Sequence, residues 1–155
     1  MEATIEHLGK KVKITLTPDQ EAIVKKQSSN IIDRIKTFED ACNELGIEPG
    51  DVLPFSNPKT NRQESANAFA MLDIISEALL ENAKLDWEDS IQQKWFPYFY
   101  NYKSGSGFRF DDTSYGWTNT LAHGGARLCL DTQKKAEYFG KQFLDIWNKF
   151  LNPNK

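Results

Sequence analysis

The stretch Lys94-Trp95-Phe96-Pro97-Tyr98-Phe99-Tyr100-Asn101-Tyr102 is followed by Lys103-Ser104-Gly105-Ser106-Gly107 and then by Phe108-Arg109-Phe110-Asp111. Two aromatic runs flank a loop of glycine, serine and lysine. That pattern predicts an antiparallel hairpin with strands at Trp95–Tyr102 and Phe108–Asp111. Side chains alternate across a strand. Trp95, Pro97 and Phe99 therefore share one face, and Phe96, Tyr98, Tyr100 and Tyr102 share the other. A third strand is predicted at Ala126–Leu130, with Ala126, Leu128 and Leu130 on one side.

Helices are expected on both sides of this sheet. Downstream, Asp131 or Thr132 caps a helix reaching Leu151, with Ala136, Phe139, Phe143, Trp147 and Phe150 as its apolar stripe. Upstream, Gln63–Ala83 carries the stripe Ala68, Leu72, Ile75 and Leu79, widened by Met71, Ile74 and Ala78. Such a broad stripe predicts a helix between two layers. Before it, residues 48–62 hold Pro49, Gly50, Pro54 and Pro58 and read as a loop or linker. One helix is predicted from Ile31 to Leu45, closed by Gly46 in the left-handed conformation. Lys11–Thr17 alternates as a strand, and Thr17-Pro18-Asp19-Gln20 starts a helix with a capping box. The expected fold is α+β: a short, aromatic-rich, antiparallel three-stranded sheet packed on helices, with a mainly helical N-terminal part. A single domain over 1–155 is expected, with 1–47 as the strand and N-terminal helices. Residues 63–155 form the helix, the antiparallel meander and the C-terminal helix.

The chain has 155 residues, 19 basic and 22 acidic, for a net charge of −3. That excludes binding to duplex DNA by bulk charge alone. At 39% hydrophobic and 26% charged, the composition is that of a globular protein able to bury a core. No run approaches the roughly 18 apolar residues of a membrane span. The first residues lack a basic region followed by an apolar one, so no secretion signal is expected. Cys42 and Cys129 read as buried, reduced thiols, which points to a cytoplasmic protein.

Few residues offer chemistry. Cys129 with His123 is the available nucleophile–base combination, and the base rate for a lone strand cysteine favours simple packing. Asp111 and Asp112 are adjacent in a strand and point to opposite faces, which makes joint coordination of a cation awkward. Gly105-Ser106-Gly107 lacks the third glycine, the helix and the lysine of a phosphate loop. No catalytic residue, metal or cofactor is assigned.

Several strings recur together in one order: Phe38-Glu39-Asp40-Ala41-Cys42 with Leu45-Gly46-Ile47, Asp86-Trp87, Lys94-Trp95-Phe96-Pro97-Tyr98-Phe99, Ala126-Arg127-Leu128-Cys129, and Ala136-Glu137-Tyr138-Phe139-Gly140-Lys141-Gln142-Phe143. From about Asp33 to the C-terminus the chain resembles a family of small uncharacterised proteins from gut-bacterial genomes, prophages and phages. The resemblance implies a phage or mobile-element origin and a cytoplasmic site of action. It implies no reaction.

The surplus information lies in the aromatic sheet. Phe96, Tyr98, Tyr100, Tyr102, Lys103 and Arg109 form the candidate binding set, because tyrosine suits half-exposed interface positions. The expected function is a non-enzymatic accessory protein that binds a protein partner or a second copy of itself through this face. Single-stranded nucleic acid is the alternative, since rings interleaved with cations stack bases and meet phosphates. An enzyme using Cys129 is the second alternative. In the bland reading, the chain's own helices cover the tyrosine face.

Overall fold

Glu2–His7 (β1) and Lys10–Thr15 (β2) pair antiparallel, in register from Glu2 opposite Thr15 to His7 opposite Lys10. The computed structural model describes residues 2–7, 10–101, 107–119 and 125–152. They fall into two units, 1–34 and 35–155. The sequence predicts β2 and passes over β1, whose apolar set is only Ala3 and Ile5. The first helix, Pro18–Ser28 (α1), begins as expected. The Thr17 hydroxyl accepts from the Gln20 N–H at 3.3 Å, and the Gln20 carboxamide accepts from the Thr17 N–H at 3.0 Å.

The single helix expected over Ile31–Leu45 is two helices. Ile31–Arg34 (α2) is one turn, and Phe38–Leu45 (α3) follows a break. The cause is local. The Asp40 carboxylate accepts from the N–H groups of both Lys36 and Thr37 at 2.9 Å, while the Thr37 hydroxyl accepts from the Asp40 N–H at 3.1 Å. This capping box starts a new helix inside the apolar stripe. Gly46 ends α3 with φ 69°, and the Ile47 N–H reaches back to the Cys42 carbonyl at 2.9 Å.

The connection over 48–62 lies inside the second unit and contains the one-turn helix Pro49–Val52 (α4). The buried Asn67 side chain holds its far end. Its oxygen accepts from the Phe55 N–H at 3.0 Å, and its NH2 donates to the Phe55 carbonyl at 2.7 Å. Asn67 belongs to Asn61–Leu80 (α5), whose start is fixed by the Thr60 hydroxyl accepting from the Gln63 N–H. Ala68, Leu72, Ile75, Ala78 and Leu79 are sealed from solvent, because α5 packs against both α3 and the last helix.

Lys94–Tyr100 (β3) and Arg109–Gly116 (β4) pair antiparallel. The second strand is longer than its expected span, and an irregularity between Tyr98 and Phe99 shifts the register. The described sheets are two-stranded, so the expected third strand is corrected. Ala126–Leu128 is a 3-10 turn, and pairing shrinks to one bridge between Trp95 and Leu130. Those two residues exchange both backbone hydrogen bonds, at 2.8 and 2.7 Å. Two residues further along the same edge stands Pro97, which has no N–H for a Leu128 carbonyl to accept. The turn is tied instead to α5. The Ser76 hydroxyl donates to the Arg127 carbonyl at 2.5 Å, and the Arg127 guanidinium lies 3.1 Å from the Asp73 carboxylate.

The expected C-terminal helix is also divided, into Gln133–Gln142 (α6) and Leu144–Leu151 (α7), with Phe143 outside regular helix at φ −107° and ψ 26°. Of the two candidate caps, Thr132 is used: its hydroxyl accepts from the Lys135 N–H at 3.3 Å. No helix among the described residues is long and apolar enough to cross a membrane.

Candidate functional site

β3 carries both faces of the site. Trp95, Pro97 and Phe99 sit on the face that α6 covers, with Tyr115, Thr113 and Phe110 as their partners on β4. The Phe99 ring lies 4.9 Å from the Trp147 ring and 6.3 Å from the Phe110 ring. Gly140 permits this approach. A Cβ there would lie 2.5 Å from the Phe110 ring and 2.7 Å from Pro97, so only glycine lets α6 come this close.

The opposite face carries Phe96, Tyr98 and Tyr100 on β3, opposite Ser114, Asp112 and Arg109 on β4. Lys94 begins the same row and is 0% exposed. The connection before β3 covers it. Its ammonium donates to the Asp89 carbonyl at 2.8 Å and lies 5.6 Å from the centre of the Trp87 ring. Side chains of this connection bind its own backbone. Asp86 accepts from the Glu88 N–H at 2.9 Å, Asp89 from the Ile91 N–H at 2.8 Å, and Gln92 from the Asp86 N–H at 2.7 Å. The face is thus closed at its Lys94 end and open at its tyrosine end. Tyr98 is 43% exposed and Tyr100 53%.

The candidate binding residues are therefore partly assembled. Phe96, Tyr98, Tyr100 and Arg109 share one sheet, with Phe96 half-buried and Arg109 exposed. Tyr102 and Lys103 lie outside the described residues. Two further rings lie at the Lys94 end of the sheet, Tyr115 on β4 and Trp117 just past it. Tyr115 packs 4.7 Å from Trp95 and 5.2 Å from Trp117, and both Tyr115 and Trp117 are exposed. The aromatic density of the sequence extends to Trp117. The missed signal was strand length, because ending β4 at Asp111 left Tyr115 without a register.

Along the unpaired edge of β3, beyond the Trp95–Leu130 bridge, β3 borders a cavity of about 380 Å³ together with Phe108, Leu128 and α7. Asn148 fixes Phe108 at its rim. Its oxygen accepts from the Phe108 N–H at 2.7 Å, and its NH2 donates to the Phe108 carbonyl at 2.8 Å.

Cys129 is buried, and its thiol donates to the Gly125 carbonyl at 3.5 Å. Burial pushes that thiol up to about 11. His123, the base the sequence offers it, lies outside the described residues. The Cys42 thiol is also raised, first by burial and then by the negative charges of Glu39 and Glu48. Both cysteines are free. Among the described residues no cluster of three or more His, Cys, Asp or Glu side chains could hold a metal ion.

Comparisons with protein-family models, with curated proteins and with solved structures give no match to this chain.

Proposed function

We propose that this chain is a non-enzymatic binding module that seats a protein surface on the exposed rings of β3. One observation carries the reading: Tyr98 and Tyr100 stand solvent-exposed on one face of a sheet whose other face is packed on α6 and on Trp147 of α7. Rings with a polar end, held on a rigid strand, give contact area at little entropic loss, which is why tyrosine is enriched at protein interfaces.

Charge favours protein over single-stranded nucleic acid. Asp112 stands directly opposite Tyr98, and Asp111 and Asp112 are both exposed. A phosphate chain tracking these rings would meet carboxylates. Lys94, a cation of the same stretch, is sealed beneath Trp87. The non-enzymatic part is supported by Cys129, whose buried, raised thiol is a poor nucleophile. The sequence likeness to proteins of gut bacteria, prophages and phages suggests an accessory role in a mobile element, acting in the cytoplasm, where free thiols persist.

Sedimentation of the purified chain over a concentration series, beside titration with a labelled oligonucleotide at low and moderate salt, tests the reading. Self-association lost in Tyr98→Ala/Tyr100→Ala supports it, as does direct binding of an isolated host protein lost in the same variant. Salt-sensitive oligonucleotide binding that depends on these rings would replace it with the nucleic-acid alternative.

A further inference from the structure

The cavity beside β3 has properties that the docking face does not explain. Its volume is about 380 Å³, within the range of small-molecule sites. Phe96, Tyr98 and Phe99 give it one wall, and Phe108 and Trp147 bring two more rings. Pro97, Leu128 and Leu151 also line it, so no charged side chain among the described residues takes part. Two side-chain polar groups are present, the Tyr98 hydroxyl and the Trp147 indole N–H. The indole is engaged by the Phe139 carbonyl at 3.3 Å.

These properties select a ligand. The lining is mostly apolar, so water held against it forfeits hydrogen bonds that it makes in bulk. A charged ligand would lose hydration with no charged side chain among the described lining residues to replace it. An apolar group gains the dispersion contacts that a void forfeits. An apolar cavity of about 150 Å³ accommodates one benzene, so this one has room for about two or three rings. Flat walls favour a flat guest in offset or edge contact. The walls are also preformed: Leu128 and Trp147 are core residues, and Asn148 clamps Phe108 from both sides of its backbone.

We propose that this cavity is a binding site for an uncharged, planar aromatic small molecule of about two or three rings. The proposal does not rest on the docking reading: Phe96 and Tyr98 border both surfaces, whereas Tyr100 and Arg109 do not line the cavity.

The neutral fluorophore N-phenyl-1-naphthylamine is the probe. Titrated into the full chain, it should saturate at one equivalent with a rise in emission. Naphthalene should displace it, and 1-naphthoate, the charged counterpart, should do so at least about tenfold more weakly. Leu151→Trp, which fills the cavity, should weaken the probe by about tenfold or more. Tyr100→Ala should leave probe affinity unchanged, even where it abolishes protein binding. Should Leu151→Trp fail to fold, the naphthalene and 1-naphthoate competition on the unaltered chain decides. Probe uptake that never saturates, equal competition by the neutral and charged compounds, or full affinity in a folded Leu151→Trp would overturn the proposal.

Discussion

The indole N–H of Trp147 donates to the backbone carbonyl of Phe139 across 3.3 Å, in a place closed to solvent. Phe143 has left the helical conformation, and α7 restarts with the N–H groups of Ile146 and Trp147 on the Phe143 carbonyl at 3.0 Å. The indole gives the Phe139 carbonyl, in the last turn of α6, a side-chain donor. The bend thereby lets α6 lie on the sheet while α7 packs on α5.

Trp147→Phe keeps an aromatic ring in the core and deletes that donor. The Phe139 carbonyl then loses one buried hydrogen bond, which costs about 0.5–1.5 kcal/mol. Urea unfolding should show a lowered midpoint with an unchanged slope. A variant as stable as the parent would mean that the carbonyl finds another donor and that the indole is no part of the bend.

Phe143→Ala should be more damaging. Phe143 is buried at the bend, edge-on to Tyr138 and Phe139 with centroids 6.1 Å away in both cases. Losing the ring removes its burial and leaves a cavity, for about 3–5 kcal/mol. Thermal or urea unfolding measures it, and a loss below about 1 kcal/mol would place the ring outside the core.

Gly140→Ala tests the contact that brings α6 onto β3 and β4. Alanine is the better helix former by about 1 kcal/mol. Its methyl would press into Phe110 and Pro97 at under 3 Å, and such overpacking costs about 1–3 kcal/mol. Net destabilisation is expected, with an altered near-ultraviolet spectrum as the strand rings shift. Net stabilisation would show that the sheet yields freely.

What the sequence makes legible is what neighbours in the chain decide. Thr17 with Gln20, Thr132 with the Lys135 N–H, and Gly46 after Leu45 act within four residues, and each appears where it is expected. The α5 stripe is legible for the same reason, since one helix face is written in the spacing. The break at Thr37 is written locally too, as Thr37-x-x-Asp40, but an apolar stripe that runs through it masks the signal. The bend at Phe143 brings the Trp147 indole back to the Phe139 carbonyl, and the lost third strand needs Pro97 to meet Leu128. Neither is a matter of composition. At the candidate site, alternation along β3 separates Tyr98 and Tyr100 from Phe99. The burial of Lys94 depends on Trp87 folding back over it, which no periodicity encodes.

Cys129 gives a prediction in pH. In the fold its thiol holds its proton to about pH 11, against an ordinary value of 9.0. Between those values the unfolded chain binds fewer protons than the native one, so stability falls as pH rises. The contribution is complete below pH 9 and lost as pH climbs through about 11. Cys129→Ala should show a shallower decline than the parent in paired unfolding curves across that window. At neutral pH the thiol should also resist labelling until the chain unfolds. Rapid labelling of native protein at pH 7 would instead revive Cys129 as a reactive group.

Tyr98 and Phe99 are chain neighbours on opposite faces of β3, and the two faces should answer differently to the same truncation. Phe99 packs against Trp147 and Phe110, so Phe99→Ala should cost about 3 kcal/mol or more of folding stability. Tyr98 stands 43% exposed opposite Asp112. Its truncation removes a cross-strand pair and part of a ring's burial, for about 1 kcal/mol or less. The binding readout should reverse that order. Tyr98→Ala, and more so Tyr98→Ala/Tyr100→Ala, should weaken protein association while the fold persists, because interface aromatics contribute chiefly on docking. Paired measurements on one set of variants, urea unfolding beside sedimentation or titration calorimetry, separate the two effects. If Tyr98→Ala lowers stability as far as Phe99→Ala does, the tyrosine row is part of this chain's own core and the docking face must be sought elsewhere.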